Sequence, residues 1–141
     1  MFAYIKAFIA GFIAVLAFHQ GLLWLFDHFD VMTASAWNLA PVGPFGVPIV
    51  VSLAFWGALW GLVLWLLIRR AESAGYYVGA AILGAILPTL LAFSLVPLVK
   101  GMSVDSLLAS LTLPRIGLAM ALNGAYGLGF AGLMRVMHPP R

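Results

Sequence analysis

His19 and Gln20 set an imidazole beside a carboxamide inside an otherwise apolar first stretch of the chain. An imidazole titrates near neutral pH and ligates metals, and a carboxamide both donates and accepts hydrogen bonds. Other polar side chains stand in later apolar stretches: Ser52, Thr89, Asn123 and Tyr126, with Trp56 and Trp60 as aromatic walls. These residue types suit hydrogen bonding, to one another or to a small ligand. They do not suit acid–base or nucleophilic catalysis, because no carboxylate lies within the apolar stretches and no nucleophile has an adjacent base. The chain contains no cysteine, which removes thiol redox chemistry, cysteine-bound zinc and iron–sulfur clusters. His19 and His28 would stand about 13 Å apart along a helix, and His138 falls at the opposite membrane face, so neither a metal nor haem is expected. Asp27, His28 and Asp30 read as a solvated rim at a helix end. No cofactor is expected.

The elements that must position these residues are membrane spans. Hydrophobic residues make up 65% of the chain and charged residues 8%, and the mean hydropathy is +1.12, outside the range of soluble domains. A span needs about 20 mostly apolar residues. The pattern predicts an all-α, integral membrane four-helix bundle formed as a single domain over residues 1–141, with spans at 5–26, 47–68, 76–98 and 115–134. The first stretch is longer than an ordinary signal peptide core and has no A-x-A site after it, so it reads as retained.

Lys and Arg in short loops orient such a bundle. An N-in, C-in arrangement puts Lys6, Arg69, Arg70, Arg135 and Arg141 on the cytoplasmic side and leaves Lys100 and Arg115 outside. The net charge of +3 then records topology and contact with anionic lipid, and no basic run suits nucleic acid. The RRAESAG connection is short enough to make spans two and three antiparallel neighbours. The long first outer loop ends in WNLAPVGPFGVP, whose Pro41, Gly43, Pro44, Gly46 and Pro48 require a defined non-helical path. Trp37 and Phe45 let it lie at the interface, as a cap on the outer mouth. In the second outer loop, Ser103 or Ser106 caps a short interfacial helix through VDSLLASL. Trp65, Tyr76 and Tyr77 form the inner aromatic belt, Trp24 the outer one, and Pro88 bends span three.

Projection at 100° per residue divides span one into a side with Phe8, Phe12, Val15, Leu16, His19 and Leu23 and a side with Ala3, Ala10, Ala14, Ala17 and Gly21. Span four separates Asn123, Tyr126, Gly127 and Phe130 from Gly117, Ala121, Gly124, Ala125 and Gly132. With Gly57 and Gly61 of span two, Gly117, Ala121 and Ala125 are the candidate helix-packing residues, since small side chains let backbones approach closely in lipid. Taking each span's midpoint as the bilayer centre puts His19, Thr89 and Asn123 within about 5 Å of it. They are expected to converge, with His19 hydrogen-bonded across helices.

The FHQG of Phe18 to Gly21, and PFGVP with SLAFWGALWG across Pro44 to Gly61, resemble an uncharacterised family of small four-span proteins of the bacterial inner membrane. The resemblance covers most of the first two spans and implies a multi-pass fold in that membrane, without catalytic residues. Small multidrug efflux proteins fit poorly, because they carry an essential Glu in a first span that here has His19 and Gln20. The leading expectation is a non-enzymatic interaction or accessory subunit in the lipid bilayer, packing against a second copy or another membrane subunit through its small-residue seams. The alternative is binding or transport of a small apolar or weakly polar molecule around His19 and Asn123. No carboxylate in a span can pair with a charged His19, which weighs against proton-coupled transport.

Overall fold

The structure, a computed structural model, describes residues 2–138; Arg141 lies outside the described residues. Four helices are long and apolar enough to cross a membrane. Helix α1 runs Phe2–His28, with Val15–His19 forming a π-helical turn. A hairpin of β1, Pro41–Val42, and β2, Val47–Pro48, leads into α2, Ile49–Ile68. Helix α3, Ser73–Ala92, is followed by the short helices α4, Leu95–Val99, and α5, Val104–Ser110, and then by α6, Leu113–Met137.

Several boundaries depart from the sequence expectation, two of them for a clear local reason. The second span begins at Ile49 rather than 47, because Val47 and Pro48 pair with Val42 and Pro41 across a turn in which Gly43 and Gly46 take φ of 65° and 62°. Only glycine adopts that left-handed region without strain. The third span does not run unbroken to residue 98. The ring of Pro97 would strike the Phe93 carbonyl four residues back, and the helix stops at Ala92 and restarts at Leu95. Ser94 Oγ donates to the Leu90 carbonyl at 2.5 Å at that break. Pro88 is tolerated within α3. Finally, α1 and α6 extend beyond 5–26 and 115–134 at both ends. Between α3 and α6, Ser103 caps α5, its Oγ accepting from the Ser106 amide at 3.2 Å.

Two tight antiparallel pairs make the core, α1 with α2 and α3 with α6, and α1 packs on α6 to join them. Helices α2 and α3 are consecutive, yet their contact is lighter than either pair. The short hairpin makes them neighbours at one end, and packing is decided elsewhere by the small residues. At the first seam a methyl group built on Gly61 would come 2.6 Å from the Ala7 carbonyl, and Gly11 faces Gly57 as closely. At the second, a methyl on Gly84 would come 2.8 Å from Gly127 Cα, and Gly127 lies against the Ala80 carbonyl. The seam forecast on Gly117 and Ala121 is not used inside the bundle. Gly117 has open space around it and Ala121 is exposed, while Ala125 is half-buried. The packed face of α6 is the one with Leu122, Tyr126, Gly127, Phe130 and Met134.

Tyr76 is also displaced from its expected place in an aromatic belt. It is buried between α3 and α6, its hydroxyl donating to the Ala131 carbonyl at 3.3 Å while the Arg135 guanidinium lies 4.0 Å over its ring. Lys6 Nζ donates to the Met137 carbonyl and Arg69 to the Tyr4 hydroxyl, so the basic residues Lys6, Arg69 and Arg135 gather at one end of the bundle.

A Cβ at a backbone-to-backbone crossing cannot be relieved by a rotamer change. Gly127→Val and Gly61→Val, each set against a neighbouring backbone carbonyl, are expected to lower stability by about 1–3 kcal/mol each, measured by thermal unfolding in detergent. Gly117→Val is expected to leave the midpoint unchanged.

Candidate functional site

The π turn in α1 is the local irregularity around which polar groups collect. Widening a helical turn to i→i+5 interrupts the ladder, and where the α pattern resumes one carbonyl is left without its usual donor. The Gln20 amide reaches back to the Val15 carbonyl, and the carbonyl of the next residue, Leu16, accepts from the Trp37 indole Nε1–H at 2.8 Å. The Trp37 backbone amide donates to Gln20 Oε1 at 2.9 Å. One loop residue thus closes two gaps on the helix, and it does so at φ of 48°, a left-handed conformation that costs a bulky residue strain. The two hydrogen bonds to α1 hold it there.

The extra residue in the turn also resets the helix by about 100° relative to an unbroken α pattern. Ala7, Ala10 and Ala14 line the core before the turn. Within and after it, Ala17 is exposed, Phe18 lies with its ring against Gly129 of α6, and Gln20 is 1% exposed. A continuous projection groups Ala17 and Gly21 with Ala10 and Ala14, so it fails at this point. With Oε1 committed to Trp37, the Gln20 amide presents Nε2 to His19 Nδ1 at 3.4 Å. That assignment makes Nδ1 the acceptor and leaves the His19 ring proton on Nε2. His19 is half-buried.

The remaining candidate residues fall into separate contacts. Asn123 Nδ2 donates to Thr89 Oγ1 at 2.9 Å, pairing α6 with α3. Tyr126, 2% exposed, donates its hydroxyl to the Gly57 carbonyl at 2.6 Å, tying α6 to the α1–α2 seam. Trp60 packs on the core, Ser52 is half-buried, and Trp56 is 58% exposed on the outside of α2. The hydrogen bonds therefore join His19 to Gln20 and Trp37, and Asn123 to Thr89, as two clusters. Every fully buried side-chain nitrogen and oxygen among the described residues has a hydrogen-bond partner. Among those residues no group of three or more His, Asp or Glu is placed to hold a metal.

Sequence reasoning places Trp37 at an interface by residue type and misses its role as a donor to α1. Nothing in the residues 15–19 announces a π turn. The available signal is weaker: a single Gln in an apolar span needs a partner, and the loop supplies it. No protein-family model, curated protein or solved structure matches this chain.

Trp37→Phe keeps an aromatic ring but deletes the pyrrole half of the indole with its Nε1–H. It is expected to cost about 1 kcal/mol and to speed amide hydrogen exchange around residues 15–20. Unchanged exchange would show that the indole does not hold the turn.

Proposed function

We propose that this protein is a non-enzymatic membrane subunit whose product is an interaction, made through the outward face of α6. The observation that carries the reading is the division of that helix into two faces. The inward face is spent: Tyr126 on Gly57, Asn123 on Thr89, Gly127 on Ala80. The outward face repeats small and apolar residues at helical spacing, with Gly117 and Gly132 in open space and Ala121 and Leu128 exposed. Helices associate in lipid through such surfaces, because apolar side chains gain nothing by leaving apolar solvent and only close packing favours contact. The partner is a helix of another membrane subunit or of a second copy.

The same polar satisfaction supports packing over a ligand pocket around His19 and Asn123. Asn123 and Tyr126 already have protein partners, and a ligand would have to displace them. The orientation that accords with the charges is N-terminus inside, since Lys6, Arg69 and Arg135 share one end of the bundle and Arg115 begins α6 at the other. The resemblance of FHQG and PFGVP to small bacterial proteins supports the inner membrane as its location.

Native mass spectrometry after gentle extraction from the host membrane tests the reading. The wild-type chain is expected to carry a stoichiometric partner subunit or a second copy, and Ala121→Leu and Gly117→Leu are expected to lose it while keeping the wild-type unfolding midpoint. A wild-type monomer, or assembly untouched by both substitutions, would refute it.

A further inference from the structure

Where α3 ends and α6 begins, a groove of about 240 Å³ is walled by Ile86, Leu90, Leu111, Ile116 and Met120 and bounded by Phe93. Two hydroxyls lie along it, and each already has a protein partner. Thr89 Oγ1 accepts from Asn123, and Ser94 Oγ donates to the Leu90 carbonyl. The interior is therefore apolar in effect. The groove opens to the surroundings, since its wall residue Leu90 is 60% exposed. Its volume falls below the roughly 300–1,000 Å³ of pockets for compact drug-sized ligands and suits one alkyl chain.

A cation stands at the rim. Arg115 precedes the lining residue Ile116 in the first turn of α6, the depth at which a span meets the head groups. Its guanidinium lies 5.2 Å from the centroid of the Phe93 ring, and Nη1 donates to the Ser110 carbonyl at 3.3 Å. These two contacts hold the group at the groove and occupy one N–H, and a guanidinium has several more in a fork that matches phosphate oxygens. We propose that the groove seats part of one acyl chain of an anionic phospholipid whose net-negative head group, with no quaternary ammonium to offset its phosphate, binds Arg115. An apolar slot alone would accept any alkyl chain, and a surface arginine alone any anion; their adjacency selects the amphiphile that has both. A guanidinium beside an apolar cleft can give a head-group phosphate charge-assisted, bidentate hydrogen bonds.

The full-length chain in neutral detergent would be titrated with phosphatidylglycerol and, separately, phosphatidylcholine of the same acyl chains, with bound lipid counted by native mass spectrometry. The wild type is expected to bind phosphatidylglycerol about tenfold more tightly, a discrimination of about 1.4 kcal/mol. Arg115→Gln, at an exposed position, is expected to bring the two lipids within about twofold of each other, while Arg115→Lys keeps part of the preference. Leu90→Trp and Met120→Trp, which fill the groove, are expected to weaken both lipids. Equal binding of the two lipids by the wild type would overturn the proposal. So would a preference that survives Arg115→Gln, binding that both groove-filling variants leave unchanged, or displacement of phosphatidylglycerol by equimolar inorganic phosphate.

Discussion

Inside a bilayer every backbone carbonyl without an internal donor costs free energy, since no water is there to replace the missing bond. The π turn at Val15–His19 creates that situation, and Trp37 resolves it by donating to the Leu16 carbonyl. Much of the rest of the molecule follows from this requirement. The loop between α1 and α2 must return to the helix it has just left, so it cannot be a free linker. Gln20 is buried beneath it and accepts its amide, and the strained φ of Trp37 is held by the same pair of bonds. The turn then reorients the second half of α1, which brings Phe18 against Gly129 of α6.

Beyond the turn, the bundle is held by closeness of approach. Gly11 against Gly57 and Gly61 against Ala7 bring α1 and α2 together, and Gly84 against Gly127 does the same for α3 and α6. Tyr126 then bridges the two pairs by donating its hydroxyl to the Gly57 carbonyl. The glycines thus serve both packing and hydrogen bonding. Polar groups in the spans behave likewise: Asn123, Thr89 and Tyr126 specify which helix faces which, an economical use of residues that would be expensive if left unpaired.

Much of this was legible in the sequence, because hydropathy and helical spacing are local properties. The four apolar helices follow from composition, and the projection of α6 separates Tyr126, Gly127 and Phe130 from Gly117 and Ala121, as the burial of that helix does. The role of each face was less accessible: projection shows that Gly117 and Ala121 share a stripe but not whether a neighbour covers it. The projection of α1 fails beyond Ala14, because it assumes a constant 100° step that the π turn violates. Convergence of His19 with Asn123 was inferred from depth alone, and depth carries no information about azimuth. Trp37 was hidden for a different reason, since a contact between residues 16 and 37 depends on a turn that only the folded chain reveals.

A bundle built this way keeps its polar groups internal and presents apolar and small-residue surfaces outward. That account depends first on the docking of the loop onto α1. The direct measurement is a solid-state NMR dipolar recoupling experiment in lipid bilayers, with 13C at the Leu16 carbonyl and 15N at the Trp37 indole. The account predicts strong dephasing, matching an indole nitrogen 2.8 Å from the carbonyl oxygen. Absence of dephasing, with the Trp37 indole exchanging freely with water, would contradict it.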